Sequence, residues 1–567
     1  MSVAAIVVSL VCGGFVVYGV KASYDTWKFM KSGPAKPQRE YDMRAVSRYF
    51  RDIAAGEQSL PDREWADLDM DAVFACLDRT ASWPGQHLLY ARLRSEALSF
   101  SDLRQFDAAV SRLAGDTAER SRIQRILERL RHAPASTLPA LFSGALPALG
   151  RGARLIPLLT VVSLATLVAT AWQPKLIVGV VLLILVNLAV RLSLQSRLEA
   201  FLPAVRSLDT MLRTAKALAS VSTPELAATV APLSRRDAHL ALVGRATRWL
   251  SFEPRGNVVI DSFYWYVNLL FLLDVSAFAW AADALRARSA SLRAMYEALG
   301  TIDVMCSVAV LRGEERRWCR PVFRAARARA LDAIAVSHPL MEQPVANSVH
   351  IDGRNILLTG SNMSGKSTFI RTLGVNAVLA RTIHTVFAEA WTGPLLSVRS
   401  SIGRADSLLD GTSYYRAEVD AIGAFFHAEG GDQRLFLIDE LFRGTNSIER
   451  IAAAQAVLTE LDRGDAIVII ATHDVELLEL VPGYAPFHFR EEVRDGALTF
   501  DYRLHEGASS TRNALAILEL AGYPAGVVVR ARQTAALLER RVQQRSEDQK
   551  PSGEQEANSQ LEHRAGA

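Results

Sequence analysis

Apolar positions are not spread evenly along this chain. They gather in four long runs and in several much shorter ones. Residues 3–20 are almost uninterrupted and amount to about one membrane span. Residues 155–172 and 176–190 form a pair with no charge inside either run, separated only by Gln173-Pro174-Lys175. Residues 262–282 are apolar and aromatic, but Asp274 lies inside the run and Asp261 and Asp283 bracket it. Residues 39–132 read instead as soluble and helical. Beyond about residue 335, short apolar runs alternate with amphipathic ones as far as Gln543, the pattern of an open α/β sheet. After Arg545 the chain is polar without any apolar period, so a disordered tail is expected.

The charges flanking the long runs set an orientation. Lys21, Lys28 and Lys31 follow the first run, whereas Met1 and Ser2 precede it. A secretory signal wants positive charge ahead of its apolar region, so an uncleaved anchor with its downstream side in the cytoplasm is the favoured reading. Arg151 and Arg154 precede the paired runs, and Arg191 and Arg197 follow them. A transmembrane hairpin with both ends in the cytoplasm fits; a buried soluble helical hairpin is the alternative. A further span at 262–282 would carry the rest of the chain across the membrane and place an aspartate in mid-bilayer, at a cost of at least ~2.5 kcal/mol. That stretch is therefore read as a helix of the soluble core lying against the bilayer.

Composition agrees with membrane segments, since 50% of residues are hydrophobic. The formal charge of +4 is too small to imply a nucleic-acid partner. The four cysteines, at 12, 76, 306 and 319, have no metal-binding spacing and suit a reduced compartment. Two arginine-rich stretches stay open. Arg120, Arg122, Arg125, Arg129 and Arg131 alternate with apolar neighbours of Leu127 and Leu130, as a solvated helix face or as a contact with anionic lipid. Residues 312–329 carry seven arginines around Trp318 and Phe323. They are the solvated surface of a connector, or a patch for nucleic acid or lipid headgroups.

The chemistry concentrates after residue 355. A buried strand at Ile356–Leu358 runs into Gly360-Ser361-Asn362-Met363-Ser364-Gly365-Lys366-Ser367-Thr368, which satisfies the phosphate-loop spacing G-x-x-x-x-G-K-[ST]. The glycines let backbone N–H groups converge, and the following helix adds positive potential at its N-terminus. Lys366 would reach the β- and γ-phosphates, and the Ser367 hydroxyl would coordinate magnesium. A second strand, Arg434-Leu-Phe-Leu-Ile-Asp439-Glu440, ends in two carboxylates. Asp439 is placed to hold magnesium through water, and Glu440 to polarise an attacking water as general base. A third strand, 466–471, ends near His473, which either senses the γ-phosphate or is structural.

These three strands in this order resemble the ATPase domain of the MutS family, which belongs to the ABC-type ATPases. The resemblance covers about 335–540 and includes the Asn362-Met363 pair, Asp439-Glu-Leu-Phe-Arg-Gly-Thr445, Ala471-Thr-His473 and Asp410-Gly-Thr-Ser-Tyr-Tyr-Arg-Ala-Glu418. In that last segment Gly411 and Ser413 fall where the family contacts the phosphates of a partner subunit's nucleotide. Glu506-Gly-Ala-Ser-Ser510 and Ala521-Gly-Tyr-Pro524 look like the part that clasps the partner. Upstream, Asp67 to Leu93, with Thr80 and Gly85, looks like the start of the family's helical core.

The resemblance implies ATP and Mg2+ as cofactors, catalysis by Glu440, His473 and Lys366, metal binding by Ser367 and Asp439, and a homodimer with composite sites. The expected fold class is an α/β ABC-type P-loop ATPase domain preceded by an all-α core and lever region with transmembrane helices. The expected organisation is an anchor (1–22), helical core (39–150), membrane hairpin (151–195), second core and lever segment (196–330), ATPase domain (335–543) and tail (544–567). The expected setting is a bacterial inner membrane, with lipid and an unidentified membrane-associated protein as partners and the ATPase domain in the cytoplasm.

Departures from the family pattern matter as well. Its mismatch readers carry an N-terminal domain with a Phe-x-Glu wedge. Here the chain opens on the expected anchor, and Phe387-Ala-Glu389 and Phe489-Arg-Glu491 lie inside the ATPase. Direct mismatch reading is thus not expected, although DNA stays open as a partner. The aromatic that stacks on adenine is replaced near Pro344, which leaves base specificity open. A transporter half would want a Leu-Ser-Gly-Gly-Gln signature, which Asp410-Gly-Thr-Ser-Tyr lacks.

Overall fold

Short polar residues punctuate the helical half of the chain. Helices α1 (Asp62–Asp67) and α2 (Met70–Leu77) lead to α3 (Trp83–Arg94), which Ser82 caps by accepting the Gly85 amide at 3.1 Å. Helix α4 (Phe100–Gly115) opens on a reciprocal cap between Ser99 and Asp102, and Leu103, Phe106, Val110 and Leu113 give it a buried face. In α5 (Thr117–Leu127), Ile123 and Leu127 point inward while Arg122 and Arg125 stay exposed, the arrangement of a solvated face.

The computed structural model describes residues 41–56, 58–144, 156–199, 201–221, 223–234, 284–324, 329–361, 364–403, 414–427, 433–443, 445–494, 497–508 and 522–548, with isolated positions at 267, 271, 272, 275, 276 and 282. The expected anchor at 1–22 and most of 262–282 lie outside the described residues. From Val46 onward the chain forms one compact unit, to which the following description applies.

Helices α6 (Ile156–Ala169) and α7 (Ile177–Glu199) occupy the paired apolar runs. Many of their apolar side chains face outward, including Leu158, Val161, Leu164, Val168, Val178, Leu182 and Leu185, and Trp172 at the turn is 80% exposed. Polar groups lie between the helices: Asn187 Nδ2 donates to Ser163 Oγ at 3.3 Å. Helices α8 (Leu202–Leu218) and α9 (Ala227–Ser234) follow, then α10 (Ser289–Arg312).

Among the described helices α10 alone is long and apolar enough to cross a membrane by length and composition, yet 78% of its apolar window is buried within the protein. It is the spine of the helical half. Asp303 at its centre accepts the Ala81 and Ser82 amides at 3.0 and 2.8 Å and the Ser82 hydroxyl at 2.5 Å. Gly85 lies against that carboxylate, where a Cβ would come within 2.1 Å of Oδ2. The loop ahead of α3 therefore needs a small residue at 85, and Thr80 bonds to Asp78 in the same loop.

The α/β part starts earlier than expected, at β1 (Val322–Phe323) and β2 (Ala330–Val336), because both pair into a small sheet of order β1-β5-β2-β3. In that sheet β3 is Asn347–Asp352 and β5 is Ala390–Gly393. The larger sheet contains β4 (Asn355–Thr359), β6 (Leu396–Ile402), β7 (Gln433–Asp439), β8 (Ile467–Ala471), β9 (Tyr484–Arg494) and β10 (Ala497–Glu506). Its order is β10-β9-β4-β8-β7-β6, parallel throughout except for the β10 edge. Both β4 and β8 are buried at every position, which explains why they read as unbroken apolar runs. Helices α11 (Lys366–Ile383), α12 (Tyr414–His427), α13 (Ser447–Arg463), α14 (Leu477–Leu480) and α15 (Ala525–Asp548) complete the described elements.

Two expectations need correction. Helix α15 runs through Asp548, so the tail expected from 544 is helical over its first residues; residues 549–567 lie outside those described. Arg312, read as part of a solvated connector, is instead buried and paired with Asp107 at 2.7 Å. It also donates to His384 O at 2.8 Å, at the far end of α11. Arg320 joins the same carboxylate at 3.0 Å. A guanidinium can be buried there because a carboxylate and a carbonyl meet it.

Helix α11 joins the two halves at Gly374, where an added Cβ would fall 2.6 Å from both Leu437 Cδ1 and Leu68 Cδ2. Gly374→Ala is therefore expected to destabilise the protein by about 1–3 kcal/mol, since overpacking outweighs the helix propensity gained. Chemical denaturation of the two proteins checks this; equal or greater stability in the variant would show that the interface has slack.

Candidate functional site

Strand β4 ends at Thr359, and the chain then turns through Gly360 with φ 137°. A Cβ at this position would sit 2.6 Å from Phe489 O on β9, so the turn excludes every side chain. Gly365 has φ 111° and forms the N-cap of α11, which puts Lys366 at the first helical position. Ser364 Oγ donates to Ser361 O at 2.9 Å, closing the loop on itself, and Ser361 Oγ bonds to the buried Glu491 carboxylate. Lys366 curls back so that Nζ donates to Gly360 O at 2.5 Å and Ser361 O at 2.9 Å. Ser367 is half-buried and Thr368 exposed beside it.

The sheet order then fixes what stands opposite the loop. Strand β8 lies between β4 and β7, and β7 ends with Asp439 in register with Ala471. Glu440 takes a left-handed backbone, φ 63°, with its amide bonded to Ala471 O at 2.8 Å. Its carboxylate meets His473 Nε2 at 3.0 Å and Arg443 Nε at 2.7 Å. His473 Nε2 lies 3.4 Å from Lys366 Nζ. The three residues expected to act together therefore meet around His473 Nε2.

Electrostatics follow from this crowding. Burial lowers the Lys366 pKa to about 8, although Asp439, Glu440 and Glu491 nearby pull the other way. Burial alone would raise Glu440, but the hydrogen bond to His473 and the charge of Arg443 outweigh it and hold the carboxyl below its usual range. Glu440 is thus an ionised acceptor, with one oxygen on His473 and the other on Arg443.

A cleft of about 730 Å³ opens over the loop. Ser361, Lys366, Ser367, Asp439, Glu440 and Arg443 are among its lining residues, as are His338, Pro344, Val345, Phe489 and Tyr502. Pro344 does lie in the cleft, where the missing aromatic was expected. Tyr502, which sequence reasoning missed, presents a half-exposed ring in the same space. It sits in the irregular stretch of β10 between Phe500 and Leu504, with φ 53°. Asn347 holds that bulge by donating to Tyr502 O at 3.0 Å and accepting the Leu504 amide at 2.8 Å. No motif marks Tyr502, because a bulge and its clamp are distant in sequence. Arg443 was within reach, three residues past Glu440 in a quoted motif.

Asn362, Met363, Gly411 and Ser413 lie outside the described residues. Neither Phe-x-Glu sequence offers a free wedge: Phe387 and Phe489 are buried, and Glu491 is engaged by Ser361.

A parallel sheet with a glycine-bounded loop after one strand and paired carboxylates after a neighbour defines an α/β domain built around a phosphate-loop motif. Residues 356–539 match the family model described as MutS domain V. Proteins named "DNA mismatch repair protein MutS" are similar to it. The one from Granulibacter bethesdensis is 34% identical over 268 residues, 45% of this chain and 29% of the relative. That from Geobacillus sp. (strain WCH70) is 31% identical over 280 residues, 47% of this chain and 32% of the relative. The matched stretch thus spans about a third of the length of these relatives.

Because burial holds Lys366 near pH 8 against an ordinary value of 10.5, the unfolded chain binds the extra proton across that window. The ligand-free protein should therefore gain stability from this group as pH rises from about 8 to 10.5, the cost being fully present below 8. Lys366→Met should remove that gain. Denaturation curves of both proteins from pH 7 to 10.5, compared as a difference, test the sign; a parallel pair of profiles would contradict it.

Proposed function

We propose that this chain is a MutS-type, ABC-class P-loop ATPase that binds ATP with Mg2+ in the cleft and hydrolyses it as a homodimer at a bacterial inner membrane. The cleft carries the reading. Its lining combines a lysine, a hydroxyl and two carboxylates with a proline, a valine and a tyrosine ring. That combination suits a nucleotide, with polyphosphate against the charged groups and base against the apolar ones. Tyr502 takes the stacking role that Pro344 cannot.

Ser367 and Asp439 offer the hard oxygen donors that suit Mg2+. Bound there, the ion would neutralise charge on the β- and γ-phosphate oxygens. Lys366 exchanges its two loop carbonyls for phosphate oxygens. Glu440 takes a proton from water as the water oxygen bonds to the γ-phosphorus. The bond from that phosphorus to the bridging oxygen breaks, and ADP leaves with the electron pair. His473, between Glu440 and Lys366, orients the base and registers the γ-phosphate. Gly411 and Ser413 address the partner subunit's nucleotide, so hydrolysis switches dimer geometry and biases the lever helices.

The outward-facing leucines and valines of α6 and α7 support insertion in lipid, with the α/β domain on the cytoplasmic side. Helix α6 has 14 residues, roughly 21 Å at 1.5 Å per residue, which is short of the ~30 Å hydrocarbon core. The exposed Trp172 at its end suits the membrane–water boundary. There the ATPase would act on, or be held beside, an unidentified membrane protein. A second reading, a tethered DNA-binding repair factor, is favoured by the relatives' name; it requires duplex binding that weakens steeply with salt.

Glu440→Gln is expected to keep ATP binding while lowering kcat at least about 100-fold, the usual worth of a positioned base. Steady-state turnover beside nucleotide binding checks this, and equal turnover would leave a nucleotide-binding scaffold. In a protein lacking residues 1–38, and so the expected anchor, the double variant Leu182→Asp/Leu185→Asp should lose flotation with anionic vesicles while keeping turnover. Retained flotation would remove the hairpin as the membrane contact.

A further inference from the structure

We infer that Glu418 is a positioning residue for Glu440, an inference that rests on the hydrolytic reading above. Between the end of β7 and the start of α13, the chain makes a tight turn containing two non-glycine residues in the left-handed region. These are Glu440 at φ 63° and Phe442 at φ 59°. Side chains disfavour that backbone, so the turn persists only where its surroundings over-determine it. One end is fixed by the Glu440 amide on Ala471 O at 2.8 Å. The other is fixed by the Phe442 amide, which donates to Glu418 Oε1.

Glu418 lies on α12 and is 7% exposed. It is not among the residues that line the cleft. Burial raises its pKa, partly offset by the hydrogen bond from Phe442. Leu441 and Phe442 pack into the core with Ile422 and Phe425 of the same helix, so α12 grips the turn by both its apolar and its polar faces. The direction in which Glu440 leaves the backbone is set by this grip. A carboxylate that accepts one buried amide thus decides where the general base points.

The test compares wild type, Glu418→Ala, Glu418→Gln and Glu440→Gln as full-length proteins in detergent, by ATP turnover and by hydrogen exchange of the peptide containing Phe442. Glu418→Ala should lower kcat at least about tenfold with KM for ATP within about threefold, and speed exchange at Phe442 while the phosphate loop is unchanged. Glu418→Gln keeps an acceptor oxygen and should stay within about threefold of wild type in both readouts. Wild-type kcat and exchange in Glu418→Ala would overturn the inference. So would equal impairment of both variants, or a loss shared between kcat and KM. Wild-type turnover no higher than that of Glu440→Gln would sink the hydrolytic reading instead, and the exchange data alone would then decide whether Glu418 holds the turn.

Discussion

A helix buried along nearly its whole length must have both ends satisfied by something other than water. Helix α11 is in that position: from Phe369 to Ile383 only Arg371 is more than slightly accessible. Its first turn emerges from the phosphate loop. At its other end Arg92 donates to Thr382 O at 2.6 Å and Arg312 to His384 O at 2.8 Å. Both arginines come from the helical half. In mid-helix, Asn376 donates to Ser337 O at 3.0 Å and accepts the Phe387 amide at 2.8 Å. The loop that holds Lys366 is thus one end of a rigid element whose other end is bolted to the core helices.

The same arrangement explains how two parts of unlike architecture behave as one body. Asp67 on α1 accepts the Ser400 hydroxyl at 2.8 Å and the Ile402 amide at 3.1 Å, tying the helices to the edge strand β6. Glu96 meets Arg399 through two bonds of 2.8 and 3.0 Å. These contacts are charge-assisted and shielded from water, so each resists displacement more than a surface pair would. Arg312 links the end of α11 to α4 through Asp107, and α10 carries that arginine.

Apolarity alone does not settle where a helix goes. Helix α10 and the pair α6 and α7 are both strongly apolar, yet α10 is enclosed by α3, α4 and α9 while the pair keeps a leucine- and valine-rich surface outward. The difference lies in the partners. Facing α10 are complementary apolar faces, and the buried Asp303 is met by three donors in the loop before α3. For the outward faces of α6 and α7 the described residues supply no such cover.

Much of the site was legible from local sequence because its chemistry is local. A phosphate loop needs its glycines at fixed spacing, and a buried strand ending in two carboxylates is recognisable wherever it occurs. Strands β4, β7 and β8 followed from unbroken apolar runs. What pattern could not supply was adjacency. That β8 lies between β4 and β7, so that His473 bridges Lys366 and Glu440, depends on strand order, which periodicity does not encode. Tyr502 enters the cleft through a bulge clamped by Asn347, and Arg312 looked solvated until Asp107 and His384 were brought to it. The sequence by itself determined which residues had the right chemistry, because backbone sterics and hydrophobic burial act over a few positions. The tertiary structure decided which of them meet, because hydrogen bonds between distant segments exist only once the chain has closed around α11.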